Sequence, residues 1–179
     1  MIGKEGIMAR KGFTIIELIM VIVVISILAV LAVPRFDSFN EIKLRGAAHK
    51  LVSDIRYAQM LATSKHEDYG VEFDADNDRY RVYCVSTDLP AVDPFTRLAG
   101  TATWSGGLII DYAVDSEYKG IDLASVDFNG GDELLFTSLG VPQDTDGDDL
   151  TEAGTVSIGY EASGETIEVT PNTGKITLQ

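Results

Sequence analysis

From Phe13 to Val33 the chain is hydrocarbon, broken only by Thr14, Glu17 and Ser26. A helix that is apolar on every side has to be surrounded, either by lipid or by other helices. A run of this length is close to the roughly 20 residues that a helix needs to cross a bilayer. Arg10 and Lys11 stand immediately before it, so the positive-inside tendency puts the N-terminus in the cytoplasm and exports the downstream chain. Three readings compete. An ordinary secretory signal would be cut near Ala29–Ala32 and lost. A plain single-pass anchor would keep the run. A signal cut in front of the run would also keep it and would leave a new amino terminus at its head.

Glu17 separates these readings. A carboxylate near the start of a membrane helix is costly and normally has a partner. A secretory signal or a plain anchor has no use for one. The segment Lys11–Leu18, KGFTIIEL, resembles the prepilin processing motif: a basic residue, Gly12, Phe13, and Glu17 at the fifth place after the glycine. The resemblance implies cleavage after Gly12 by a prepilin peptidase, N-methylation of Phe13, and a retained helix. Gly12 suits a protease that grips the backbone closely. Glu17 follows the new Phe13 amine by one helical turn. In a bundle of such helices an amine and a carboxylate from neighbours can pair and set the register. An unpaired carboxylate there would cost several kcal/mol.

Pro34 ends the apolar run. It removes a backbone donor and crowds the preceding turn, so it is expected to kink or locally melt the helix. Phe36, Phe39, Ala47, Leu51, Ile55, Ala58 and Ala62 then recur at helical spacing. Glu41, Lys43, Arg45, Lys50, Asp54 and Arg56 lie between them. The spacing predicts an amphipathic helix resuming to about Ser64. After Lys65 the pattern turns to short alternating strands: 69–73, 79–85, 107–112, 121–128, 133–137, 154–160, 166–170 and 175–178. Turns are expected at Asp74–Asp78, Ala162-Ser163-Gly164 and Asn172-Thr173-Gly174. The stretch 87–103, with Pro90 and Pro94, reads as an irregular loop.

The expected class is therefore α+β: a long N-terminal helix, half membrane-spanning and half amphipathic, packed on antiparallel β-sheets. The expected organisation is a cytoplasmic leader over 1–12, a transmembrane and filament-core helix over 13–33, an amphipathic helix over 34–65 and a periplasmic β-rich domain over 66–179. With LVSDIRYAQMLATSK in the helix, LLFTSLGVP midway and TPNTGKITL at the end, the layout resembles the GspH/FimT family within the type IV pilin-like superfamily. Those proteins are minor pseudopilins of type II secretion and minor pilins of type IV pili. The resemblance implies an inner-membrane subunit, single-pass with its N-terminus cytoplasmic, that later enters a pilus or pseudopilus. Its implied partners are other pilin or pseudopilin subunits, the prepilin peptidase and methyltransferase, and the inner-membrane assembly platform. Glu17 and Pro34 are the implied assembly residues; Lys11, Gly12 and Phe13 are the implied processing residues.

Charge limits the alternatives. The chain carries a net −14, and its first twelve residues carry +2, which leaves −16 for the rest. That surface repels nucleic-acid phosphates, and from Leu150 onward Lys175 is the only basic residue. A DNA- or ligand-binding subunit at a pilus tip is thus the lesser reading, as is a secreted β-rich binding protein with a conventional signal peptide. No nucleophile motif, zinc ligand set or phosphate loop appears, so the expectation is not an enzyme. The single Cys84 allows no internal disulfide. His49 and His66, seventeen residues apart, do not suit a shared metal. The run Asp144–Glu152, with Asp146, Gly147 and Asp148, spaces oxygen donors in the general manner of a calcium loop. Gly147 comes fourth and Glu152 ninth, which departs from the EF-hand pattern. Asp144, Asp146 and Asp148 therefore stand as a candidate calcium loop against a solvated acidic loop, and no other cofactor is expected.

Overall fold

The computed structural model describes residues 13–32 and 36–179. The chain divides into two units, residues 1–38 and Phe39–Gln179. In the first lies α1, Ile15–Ala32. Thr14 starts it: the Glu17 N–H donates to Thr14 Oγ1 at 3.3 Å, which satisfies one of the first-turn donors. Ser26, the polar residue in its middle, donates back to the Ile22 carbonyl at 2.8 Å, so no hydroxyl is left unpaired in hydrocarbon surroundings. Pro34 lies outside the described residues.

The second unit is built on α2, Phe36–Lys65. His66 follows with φ 57°, the left-handed conformation that ends many helices. Leu44, Ala47, Ala48, Leu51, Val52, Ile55, Ala58 and Ala62 form its buried stripe. Four of these eight are alanine, which lets the helix approach the strands closely. The expected face is shifted at its start: Phe39 is 67 % exposed, and among the described side chains the buried stripe begins at Leu44, while the Phe36 side chain lies outside the described ones.

Twelve strands follow. The first six are β1 (Tyr69–Asp74), β2 (Arg79–Cys84), β3 (Leu89–Pro90), β4 (Gly100–Ala102), β5 (Ser105–Gly106) and β6 (Ile109–Asp111). The others are β7 (Asp122–Asp127), β8 (Glu133–Phe136), β9 (Pro142–Gln143), β10 (Gly154–Tyr160), β11 (Ser163–Val169) and β12 (Ile176–Leu178). One sheet runs β3-β2-β1-β8-β9, with β6 also paired to β2; a second runs β12-β11-β10-β7; β4 and β5 form a separate hairpin. All their pairings are antiparallel. Register puts Val71 opposite Val82 and Leu134, and Phe73 opposite Tyr80. These side chains join Val156, Ile158, Ile167 and Val169 of the second sheet and the α2 stripe in one core. Phe73 stacks on Phe128, with ring centroids 5.8 Å apart. Gly154 lies flush against this ring: a Cβ there would sit 2.3 Å from Phe128 Cδ1.

Two expectations about loops change. The stretch 87–103 is not irregular throughout: Leu89 and Pro90 pair with Cys84 and Tyr83 at a sheet edge, and Gly100–Ala102 enters the small hairpin. An edge strand tolerates Pro90 because its missing N–H faces no ladder partner. The β10–β11 turn is shorter than Ala162-Ser163-Gly164, since Ser163 and Gly164 already pair with Tyr160 and Gly159. Only Glu161, at φ 54°, and Ala162 turn the chain, a two-residue hairpin of the kind that matches strand twist.

Candidate assembly surface

Every described large apolar side chain from Phe13 to Leu28 is 47–79 % exposed. None of them is buried among the described residues, and full burial of each such side chain stabilises by about 1.5–3 kcal/mol. Exposure is spread around α1 rather than confined to one stripe, so its complement has to surround it. Glu17 is its only charged residue and sits in its first turn, where the helix dipole favours a negative group. Phe13 stands one turn before Glu17 and is itself exposed. Lys11, Gly12 and Pro34, the other expected processing and assembly residues, lie outside the described residues. Among the described residues no helix is long and apolar enough to cross a membrane. The 18 residues of α1 rise ~27 Å against a ~30 Å hydrocarbon core. That falls short of the helix expected over 13–33, because Phe13 and Thr14 precede the first turn and Val33 is outside the described residues.

The acidic loop is held by its own hydrogen bonds. Asp144 Oδ2 accepts from Asn129 Nδ2 at 2.8 Å, and Asp144 Oδ1 accepts from the N–H groups of Asp146 and Asp148 at 3.1 and 3.0 Å. Asn129 and these backbone donors hold the Asp144 carboxyl below the usual carboxylate range. Gly147, at φ 82°, makes the bend without a steric penalty. Asp144, Asp146 and Asp148 do not converge: among the described residues no group of three or more His, Cys, Asp or Glu side chains has an arrangement that could hold a metal. Three of the roughly four acceptor sites of the Asp144 carboxylate are taken by the loop's own donors. A bound ligand at 100 times its Kd raises stability by about 2.7 kcal/mol. Millimolar calcium is instead expected to move the melting temperature by less than about 1 °C, read by differential scanning fluorimetry. A rise of several degrees that Asp146→Asn and Asp148→Asn abolish would restore the calcium reading.

One functional-looking group escaped the sequence reading. Asp54, expected among the solvent-facing polar residues, is 2 % exposed. It occupies the buried stripe between Leu51 and Ala58. Lys50 Nζ reaches its two oxygens at 2.7 and 2.5 Å, and Tyr80 donates its hydroxyl to Oδ2 at 2.8 Å. Burial pushes the Asp54 carboxyl above the usual range, against the pull of Lys50 and Tyr80. Tyr112, packed edge-on to Tyr80, is buried with no hydrogen bond at its hydroxyl. The signal in the sequence was positional: residue 54 is three after Leu51 and four before Ala58, on the apolar face.

Arg81 organises the other side of the first sheet. It pairs with Glu72 at 2.5 Å and with Asp88 at 2.6 Å, and it also donates to the Asp88 carbonyl at 2.9 Å. Burial works against its charge, but Asp88 and Glu72 outweigh it and push the guanidinium up. Trp104, at the tip of the β4–β5 hairpin, lies over Arg79 at 4.1 Å and Arg81 at 5.4 Å. These contacts pin both ends of the loop over residues 87–103.

The α+β fold is pilin-like, and the N-terminal segment carries a methylation motif. The prokaryotic N-terminal methylation motif matches residues 7–33, which takes in Lys11, Gly12, Phe13 and Glu17 and marks a membrane-anchored precursor. Among solved structures the chain is similar to the type IV minor pilin FimU of Pseudomonas aeruginosa, at TM-score 0.51 and 16 % identity, covering 80 % of this chain and 92 % of that one. It is also similar to the minor pseudopilin EpsH of the type 2 secretion system of Vibrio cholerae, at TM-score 0.50 and 13 % identity, covering 76 % and 96 %. No curated protein sequence matches the chain.

Proposed function

We propose that this chain is a structural subunit, a minor pilin or minor pseudopilin, of a type IV pilus or a type II secretion pseudopilus, and not an enzyme. One observation carries the reading: an all-round apolar, uncovered helix with a single carboxylate in its first turn sits inside the methylation motif. In this reading the precursor crosses the inner membrane once, N-terminus inside, through the apolar run 13–33. A prepilin peptidase cuts after Gly12 and Phe13 is N-methylated. An assembly platform then moves the helix from lipid into a bundle of sister helices. Lipid and apolar helices are similar solvents for these side chains, so the transfer costs little and polar pairing decides the register. Glu17 supplies that pairing by meeting the Phe13 amine of a neighbour, and Pro34 loosens the helix behind it.

The test is the intact mass of the mature protein. Loss of Met1–Gly12 and gain of one methyl group is the expected result. A retained leader, or loss of the whole apolar run, would reject the assignment.

A further inference from the structure

The Phe39–Gln179 unit is acidic, but unevenly so. Glu5, Glu17 and Asp37 precede residue 39, so the unit holds 25 of the 28 acidic residues; Lys4, Arg10, Lys11 and Arg35 also precede it, so it holds ten of the 14 basic ones. Three stretches, 55–66, 134–143 and 169–179, contain none of those acids and carry Arg56, Lys65 and Lys175. The fold brings the three stretches together. They line one groove of about 410 Å³, with Arg56, Gln59 and Met60 from α2, Leu139 from the β8–β9 loop, and Asn172 and Thr173 from the β11–β12 turn. No acidic side chain lines it.

The groove has an apolar rim. Leu139 is 83 % exposed, more than any other large apolar side chain described, and Met60 is 53 % exposed. The loop that presents Leu139 is fixed in place. The Gly140 N–H donates to the Thr137 carbonyl at 2.7 Å, and the Thr137 N–H donates to the Val141 carbonyl at 3.0 Å. The Ser138 N–H donates to the Asp68 carboxylate at 2.9 Å. Gln59 Nε2 ties the loop to α2 through the Gly140 carbonyl at 3.0 Å. The other wall is tied to α2 as well: Arg56 Nη2 donates to the Ile176 carbonyl at 3.1 Å, and a Cβ on Gly174 would sit 2.5 Å from Gln59 Nε2. Two apolar side chains are thus held out in solvent on a surface that loses little entropy on binding.

Charge narrows the partner. Arg45, Lys50, Arg79 and Arg81 are all in ion pairs. Arg56, Lys65 and Lys175 have none among the described residues. The groove is therefore a place on this unit where a carboxylate meets a cation and no like charge in the lining. A long polyanion would run off it onto acidic surface and be repelled. A folded protein can present one acidic side chain beside an apolar one and keep the rest of its charge away.

We propose that this groove is an interaction surface for a different subunit of the same filament, which seats an apolar side chain between Met60 and Leu139 and sets a carboxylate against Arg56. The inference rests on the subunit reading above and adds to it a contact outside the helix bundle. A minor subunit is outnumbered by unlike neighbours, so an unlike subunit is the occupant that reading supplies. Complementary charge then selects among such neighbours, because a misplaced like charge is penalised.

The test places a photoreactive amino acid at position 139 of the full chain and irradiates intact cells. The expected product is an adduct to a different protein that itself carries an N-terminal methylation motif, through a peptide with an acidic side chain. Thr63 is exposed and lines the same groove, so it can carry a test charge of either sign. Thr63→Glu should cut the adduct about tenfold per processed chain, and Thr63→Lys should leave it equal or raise it. Adducts to a second copy of this chain, to lipid or to nucleic acid would overturn the contact, as would a joined peptide without an acid. Equal losses in Thr63→Glu and Thr63→Lys would overturn it too, since shape rather than charge would then decide. Mature mass and filament content are measured alongside. A processed, incorporated chain without the adduct removes this contact and leaves the subunit reading standing; an unprocessed chain removes the reading itself.

Discussion

Glu17→Ala is expected to leave the chain in the membrane and all but remove it from filaments. The two effects part because the carboxylate matters differently in the two environments. For insertion, an acid in an apolar helix is a cost of up to about 3 kcal/mol, and less near the helix end. Alanine therefore inserts at least as well. For assembly, loss of the carboxylate leaves a neighbour's Phe13 amine buried in hydrocarbon. Breaking a buried pair from one side costs about 3–5 kcal/mol, and each 1.4 kcal/mol is tenfold in an equilibrium. Incorporation should fall by about 100-fold or more on that scale. Glu17→Gln keeps a hydrogen-bonding group of the same length but not the charge, so it separates pairing from shape; it should resemble alanine. The readout is the ratio of sheared filament to membrane fraction by immunoblot, with mature mass as the control for processing. Normal incorporation of either variant would count against a buried amine–carboxylate pair.

The parts of this molecule that were legible in its sequence are those whose period is long enough to count. The apolar run at 13–33 needs no alternation to be recognised. The strands β1, β8 and β10 alternate over four residues or more, and their buried positions Val71, Phe73, Leu134, Phe136, Val156 and Ile158 fall on every second residue, whereas β2 is buried continuously from Tyr80 to Cys84. The strands β3, β5 and β9 have two residues each and carry no period. They exist because neighbours hold them: Leu89 and Pro90 align on β2 while Asp88 is tied to Arg81. A sequence scan cannot see such pairing, since the partners are fixed by tertiary structure. Asp54 shows a different failure. Residue type placed it outside, whereas position placed it inside, and position prevailed because Lys50 and Tyr80 supply what its carboxylate needs. Asp144, Asp146 and Asp148 differ again: their spacing suggests a shared ligand, and in the folded loop backbone N–H groups also bind the Asp144 carboxylate. The exposed Phe39 belongs to neither case. Helical spacing put it near the apolar face, but that face needs strands opposite it, and among the described side chains of α2 the buried ones begin at Leu44.

Asp54→Ala should be the most destabilising single change in the β-rich unit among the polar residues. Removing the carboxylate strands the Tyr80 hydroxyl, which is fully buried and has no other acceptor within the hydrogen bonds it makes. It also leaves Lys50, four-fifths covered, without its partner. Loss of one member of a buried pair costs about 3–5 kcal/mol, and the vacated volume adds to it. In urea titrations of the chain in detergent, followed by the fluorescence of Trp104, the expected loss is about 3 kcal/mol. Asp54→Asn should cost much less, since its carbonyl still accepts from Tyr80 and Lys50 can turn its ammonium toward water. The pH dependence then separates charge from packing. Burial raises the Asp54 pKa in the folded chain above its unfolded value. A carboxylate shifted that way contributes most below its unfolded pKa, about 3.9. That contribution is lost as pH rises through the folded value. The wild-type chain should therefore lose ground to Asp54→Asn as pH climbs through that window and keep a constant difference above it. Parallel curves for the two proteins across the same window would mean that Asp54 is not desolvated as its surroundings require. A cost for Asp54→Ala no larger than that of an ordinary surface change, within about 0.5 kcal/mol, would place the carboxylate in solvent.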